Sequence, residues 1–271
     1  MYWFNRQRTA LLASMKTAPS VEPYLTFQSV NSFTISTTPK WNGTMQYSTD
    51  ATNWSAWNGS ELSSVNGKLY FRGTGNTGVS ATPDSASAPW VIAGIAVECV
   101  GNIENLLDYA TVSNGQHPTM ANYCYSTMFF GCTALTTAPA LPANTLVERC
   151  YSSMFSGCTA LTTAPILPAT TLANYCYIAM FNNCAALTTA PALPATTLAN
   201  YCYRSMFNGC TNLKVSATQT GAYQYEWRIP TSGIGTTATS WNSDMLTNTG
   251  GTKTSNPSIN TTYYVEHPPV A

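Results

Sequence analysis

CYSTMFFGCTALTTAPALPANTLVER, Cys124 to Arg149, runs directly into CYSSMFSGCTALTTAPILPATTLANY, Cys150 to Tyr175. CYIAMFNNCAALTTAPALPATTLANY, Cys176 to Tyr201, follows, and then a truncated CYRSMFNGCTNL, Cys202 to Leu213. The first and second copies agree at 19 of 26 positions and the second and third at 20, so one structural unit recurs every 26 residues. Units that recur in this way bury their apolar faces against their neighbours and build an extended surface.

Within a unit, Leu172, Ala173, Cys176, Tyr177, Met180 and Phe181 fall at the i, i+4, i+8 spacing that lays apolar side chains on one helix face. This predicts a helix of about three turns in every copy, with Thr170 and Thr171 as N-cap candidates. Gly131, Gly157, Asn183 and Gly209 stand at equivalent positions after it, where a left-handed residue ends a helix. In the phrase that follows, Leu161 to Pro168, Leu161, Thr163 and Leu167 share the inward parity of a strand, and Thr162 and Ala164 the outward one. Pro165 and Pro168 cannot donate to a ladder, so the hydrogen-bonded part of each strand is short. Stacked copies are expected to form a short-stranded parallel sheet on one side and helices on the other.

The GC-x-x-L-T-x-x-x-x-L/I-P phrase, preceded by a Phe-bearing helix, resembles the BspA-like, Treponema-type leucine-rich repeats, from roughly Cys99 to Leu213. The resemblance implies a leucine-rich-repeat α/β solenoid and kinship with cell-surface binding proteins. The chain departs from the family in its longer unit, in its added first Cys, and in Met128, Met154, Met180 and Met206 where the family carries Ala before the Phe. Solenoid ends need covering. Upstream, Ile103, Leu106 and Leu107 with Pro118 to Tyr123 imitate the lead-in to a unit, with Thr111 to His117 as an inserted loop. Downstream, Asp244-Met-Leu, Gly250-Gly251 and Pro257-Ser-Ile echo a worn fifth unit.

Residues 24 to 98 have another texture. Leu25-Thr-Phe27, Phe33-Thr-Ile35, Thr44 to Tyr47, Lys68 to Arg72 and Trp90-Val-Ile92 are short alternating or apolar runs divided by Gly, Asn, Asp, Ser and Pro, the pattern of a small antiparallel β-sandwich. The fold class expected is therefore α+β. An N-terminal arm or short helix for attachment or oligomerisation (1–20) precedes a β-sandwich-like domain (21–98). A leucine-rich-repeat solenoid (99–213) with degenerate caps and a divergent C-terminal repeat or cap (214–271) complete it, with a linker around Thr82 to Ala88. Ser48 to Trp54 resembles the Asp-box turn of sialidase-type propellers, one residue short and without its Gly, and is expected to brace a hairpin locally. Trp41, Trp54 and Trp57 form a candidate sugar platform, with core packing as the other reading.

Only 8% of the 271 residues are charged, 11 basic against 11 acidic, which leaves no electrostatic footprint for nucleic acid or an anionic membrane. No apolar run approaches the roughly 20 residues of a spanning helix. The first residues, MYWFNRQRTALLASMK, place Arg6 and Arg8 before an apolar stretch too short for a secretory signal. Eight of the nine cysteines hold the two repeat positions: Cys124, Cys150, Cys176 and Cys202, then Cys132, Cys158, Cys184 and Cys210. Helices packed about 8 to 10 Å apart would keep equivalent cysteines beyond bridging distance. Small buried hydrophobes are then expected, ahead of a disulfide framework and of zinc, in a protein folded in a reducing compartment. His117 and His267 lack the partners of a catalytic triad, and Gly73 to Gly78 matches a phosphate loop only superficially. No catalytic residue, cofactor or metal site is expected.

Comparing the copies separates scaffold from display. Variation gathers at Ser126, Thr127 and Phe130; Ser152, Ser153 and Ser156; Ile178, Ala179 and Asn182; and Arg204, Ser205 and Asn208, read as the outer helix face and a candidate ligand surface, with drift on a solvated face as the alternative. Thr136, Thr162 and Thr188 form a uniform candidate row on the sheet face. The functional expectation is a non-enzymatic adhesion or recognition protein. It would be a component of a phage tail or head fibre, folded in the host cytoplasm and carried on the virion. Its partners would be a bacterial cell-surface glycan or protein and, through residues 1–20, other virion proteins, with homo-oligomerisation a further expectation and neither nucleic acid nor membrane insertion involved. The alternatives are a BspA-like bacterial surface adhesin and a structural decoration or assembly protein without a ligand.

Overall fold

The computed structural model describes residues 23–80, 89–195 and 198–213. The arm at 1–20, the linker at Thr82 to Ala88 and the cap at 214–271 lie outside the described residues. The described chain is mixed α+β, with nine strands in two sheets and one helix.

The N-terminal strands are β1 (Leu25–Gln28), β2 (Thr34–Ser36), β3 (Thr44–Ser48), β4 (Ser55–Ala56), β5 (Leu62–Ser63), β6 (Lys68–Thr74), β7 (Val91–Ala93) and β8 (Val97–Val100). A six-stranded sheet has the order β4-β3-β6-β1-β8-β9, with β9 (Leu135–Thr137) coming from further along the chain, and a three-stranded sheet has the order β5-β2-β7. Alternation sets the inward face: along β6, Leu69, Phe71 and Gly73 are buried, with Lys68, Tyr70 and Arg72 half-buried and Thr74 exposed. Both sheets contribute to one apolar core, in which Trp90 packs against Phe27, Trp57 and Phe71.

Strand β8 crosses the 98/99 division drawn from composition. It pairs antiparallel with β1 and parallel with β9 (Leu135–Thr137), which belongs to the first 26-residue unit. The sheet of the N-terminal module thus continues into the repeats. Between them lies α1 (Asn105–Ser113), broken at Asp108, whose φ of −153° and ψ of 100° are those of an N-cap. Its Oδ1 accepts from the Thr111 N–H at 2.9 Å and its Oδ2 from the Gly75 N–H at 3.0 Å, which satisfies one of the helix's free donors. Thr111 to Ser113 are therefore helical, not loop as expected; the capping carboxylate three residues earlier starts a second helical segment.

The helices expected in the repeats are not there. From Tyr123 to Gly131 the backbone is a ribbon of turns. Ser126, Met128, Phe130 and Cys132 donate their N–H groups to the carbonyls of Tyr123, Tyr125, Thr127 and Phe129, three residues back. Tyr123, Tyr125, Thr127, Phe129 and Gly131 donate to Glu148, Cys150, Ser152, Met154 and Ser156, 25 residues on. The same bonds join the second unit to the third and the third to the fourth. These donors are thus satisfied alternately within a coil and between coils, as a buried backbone requires. Thr170 and Thr171 accordingly cap no helix; their N–H groups donate to the Asn144 carbonyl.

A left-handed residue recurs every four positions in this ribbon: Tyr123 at φ 64°, Thr127 at 56° and Gly131 at 72°. The equivalents of Gly131, namely Gly157, Asn183 and Gly209, are left-handed too, as their residue types predict. Between them, pairs of side chains point inward, and Cys124, Tyr125, Met128 and Phe129 are buried with all their equivalents. The copies lie directly on one another. Tyr125, Tyr151, Tyr177 and Tyr203 stack at 5.6 to 5.8 Å between ring centres, and Phe129, Phe155, Phe181 and Phe207 at 5.5 to 5.7 Å.

On the other side of each coil, parallel pairing is short, as the prolines require. Beyond β9 it survives as single bridges, Thr137 with Thr163 and Thr145 with Thr171. The inward parity holds for the buried Leu161 and Leu167 but not for Thr163, which is exposed, because one bridge does not sustain a pleat before Pro165 redirects the chain.

The upstream end is closed by the N-terminal module itself. The Val79 N–H donates to the Cys124 carbonyl at 2.9 Å and the Trp90 N–H to that of Met128 at 2.8 Å, as Tyr and Phe of a preceding unit would. The Ser80 hydroxyl donates to the Ser126 carbonyl at 2.6 Å, copying the bond from the Ser126 hydroxyl to the Ser152 carbonyl at 3.2 Å.

Candidate functional site

Because the coils are in register, each position of the unit forms a row along the stack. The display row expected at Ser126, Ser152, Ile178 and Arg204 is mostly inside: Ser126 and Ser152 are buried, Ile178 is half-buried, and only Arg204 is exposed. Ser156 is buried as well, while Asn182 and Asn208 are half-buried. The outer-face assignment of the three serines rested on a helix; in the turn ribbon these positions face the neighbouring coil. Phe130 is 48% exposed. Thr127, Ser153, Ala179 and Ser205 are half-buried and all left-handed.

The threonine row partly spends its hydroxyls on the stack. Thr136 Oγ1 donates to the Val97 carbonyl at 3.2 Å and Thr188 Oγ1 to that of Thr162 at 3.4 Å. The three tryptophans do not form one platform. Trp57 is 4% exposed, with Nε1 donating to the Ser60 carbonyl at 2.8 Å, and Trp41 stacks on it at 5.5 Å. Trp54 belongs to another group, 4.6 Å from Tyr24 and 4.1 Å from the Arg72 guanidinium, which also lies over Tyr109 at 4.4 Å.

Asp50 braces the β3–β4 hairpin as its neighbours suggest. The backbone N–H and side-chain amide of Asn53, then the Thr52 N–H and the Ser48 hydroxyl, hold its carboxyl well below the usual range.

All nine cysteines are buried and free. The reason is not the wide spacing expected of helices, since stacked rings of adjacent coils lie only 5.1 to 5.8 Å apart. Parallel side chains held at the 5.5 to 5.8 Å of the stacked rings keep their Cβ atoms wider than the roughly 3.5 to 4.5 Å of a disulfide. Burial pushes these thiols up, Cys132, Cys150, Cys202 and Cys210 to about 12, so they are neutral and unreactive.

Two groupings escaped the sequence. Glu104, 1% exposed, meets His117 Nδ1 at 2.9 Å beside a cleft of about 280 Å³ lined by Pro118, Met120, Asn144, Thr145 and Val147. Thirteen residues and a broken helix separate the pair, and no motif announces it. The second is a surface ladder, Tyr123, Arg149, Tyr175 and Tyr201. The Arg149 guanidinium lies 5.7 Å from the Tyr123 ring and 4.1 Å from that of Tyr175, and Tyr175 stacks on Tyr201 at 5.1 Å. A signal did exist, for Ala121-Asn122-Tyr123 repeats as Ala173-Asn174-Tyr175 and Ala199-Asn200-Tyr201.

Among the described residues no three His, Cys, Asp or Glu side chains gather to hold a metal, and no helix is long and apolar enough to cross a membrane. No family model matches the chain, and no curated protein or solved structure matches it either.

Proposed function

We propose that the chain is a non-enzymatic recognition protein whose stacked units form a short solenoid of the BspA-like leucine-rich-repeat kind. In this reading it is a phage virion component that binds a bacterial surface ligand. The observation that carries it is the in-register stack itself: a scaffold with buried, neutral thiols and interlocked backbones that repeats surface rows at a fixed spacing. Such a scaffold offers several copies of one weak contact to a ligand that is itself repetitive, and linked contacts multiply. Nine unpaired thiols support folding in a reducing compartment, which favours assembly inside a bacterium over export as an adhesin.

Binding of the purified full chain to whole bacterial cells, before and after enzymatic removal of surface glycans, tests the reading. Retention on cells that falls after stripping supports it. Incorporation into particles whose host adsorption is unchanged when the chain is removed would favour a decoration protein instead.

A further inference from the structure

Each coil has three left-handed positions, and they are filled in three different ways. The third row holds Gly131, Gly157, Asn183 and Gly209, the residues that tolerate this conformation. The second holds the small Thr127, Ser153, Ala179 and Ser205. The first holds Tyr123, Arg149, Tyr175 and Tyr201, at φ 64°, 54°, 58° and 54°. Any residue with a Cβ pays about 1–2 kcal/mol at such a position, so what sets the first row apart is the size and polar tips of its side chains. The core does not require them, since none of the four is buried and Tyr201 is 38% exposed. Large side chains kept at a strained backbone position that the core does not enclose point to a role on the surface.

The chemistry of the row is specific. The Arg149 guanidinium is held between two tyrosine rings, which fixes its plane. Its Nε is buried and, among the described residues, has no hydrogen-bond partner; the side chain as a whole is 32% exposed, and its counter-charge among those residues is Glu148, 3.8 Å away and itself partly exposed. Further along the stack the exposed Arg204 lies 5.3 Å from the Tyr201 ring. Beside the ladder runs a row of exposed amides, Asn122, Asn174 and Asn200. We infer that this ladder binds an anionic polysaccharide, with Arg149 receiving a carboxylate or phosphate and the tyrosine edges and asparagine amides meeting the sugar hydroxyls. The inference deepens the recognition reading proposed above and rests on it.

The test is Arg149→Tyr in the full chain. Three of the four coils carry Tyr at this position, so the ladder continues and the fold is retained. Binding to polygalacturonate, to a glycerol-phosphate teichoic acid and to neutral dextran is measured by titration calorimetry, with the melting temperature alongside. The wild type is expected to bind one or both anionic polymers and not dextran. Arg149→Tyr weakens that binding by about tenfold or more without lowering the melting temperature, and Glu148→Gln strengthens it. The polymer retained identifies the source of the anion. Equal affinity of Arg149→Tyr and the wild type, or no preference for either anion over dextran, overturns the inference. Cell binding that persists in Arg149→Tyr sinks the ladder alone, whereas a wild-type chain that binds no cells sinks the recognition reading.

Discussion

The thiol of Cys158 donates to the carbonyl oxygen of Phe129, one coil back, at 3.0 Å. Cys184 does the same to Phe155, Cys210 to Phe181, and Cys132 to Trp90, at 2.9 to 3.1 Å, so the second cysteine of each unit is a tie between coils as well as a core residue. Cys158→Ala removes both the bond and the volume, at an expected cost of about 1–3 kcal/mol. Cys158→Ser keeps a donor and is expected to cost less than Cys158→Val, which fills the space, adds a β-branch between stacked coils and donates nothing. Urea denaturation of the three variants gives the order, and a valine variant more stable than the serine one would reduce the thiol to packing alone.

Alkaline stability follows from the same thiols. Burial raises them from the ordinary value of 9.0, to about 12 at Cys132, Cys150, Cys202 and Cys210. A raised native value means that the stabilisation is complete below pH 9 and is lost as pH climbs, because the unfolded chain ionises its thiols and the folded chain cannot. Each buried thiol then contributes a loss of about 1.4 kcal/mol per pH unit. The expected outcome is steep, cooperative unfolding above pH 9, with no thiol reacting with a disulfide reagent in the native chain at pH 8 and all nine reacting in denaturant. Four or more disulfides found by mass spectrometry in native protein would refute this picture of the core.

Much of this was legible in the sequence, and the exceptions share one cause. The 26-residue period, the shortness of the parallel pairing imposed by Pro165 and Pro168, the left-handed Gly131 row and the Asp50 brace all follow from residue types with narrow conformational choices. The helix did not, because Leu172, Cys176 and Met180 recur every four residues, and over two turns that spacing scarcely differs from 3.6. A ribbon of four-residue turns produces the same apolar rhythm while sending half of its N–H groups to the next coil. From that substitution come the wrong coil spacing, the outward reading of Ser126, Ser152 and Ser156, and the neglect of the Tyr123 row. The pairing of Glu104 with His117 depends on tertiary packing that no local spacing encodes.

Acid stability has the opposite sign to the alkaline arm. Asp50 is lowered chiefly by the Asn53 N–H, and Asp108 chiefly by the Thr111 N–H and then that of Gly75, each from the ordinary 3.8. A depressed native value gives stabilisation that is present above pH 3.8 and drains away as pH falls below it. Melting temperatures followed from pH 6 to pH 2 should therefore drop below pH 4, and less steeply in Asp50→Asn and Asp108→Asn. Both variants are expected to melt lower than the wild type at pH 6, because an amide is a weaker acceptor for the same donors. An acid arm identical in all three chains would assign it to other carboxylates.

The left-handed rows make the last prediction quantitative. Gly157 has a φ of 78°, and a Cβ there would meet the Gly131 Cα at 3.4 Å, an ordinary contact, so Gly157→Ala isolates the backbone cost of about 1–2 kcal/mol. Gly209 has nearly the same φ, 76°, but its Cβ would run into the Asn183 side chain, with the Asn183 Cα at 3.2 Å. Gly209→Ala is therefore expected to cost more than Gly157→Ala, and the double variant Asn183→Gly with Gly209→Ala to return most of the difference. Chemical denaturation of the wild type, Asn183→Gly, Gly209→Ala and the double variant closes the cycle, with Gly157→Ala measured alongside. If Asn183→Gly restored nothing, the contact between adjacent coils at this row would be looser than the stack describes, and the strain would lie in the turn alone.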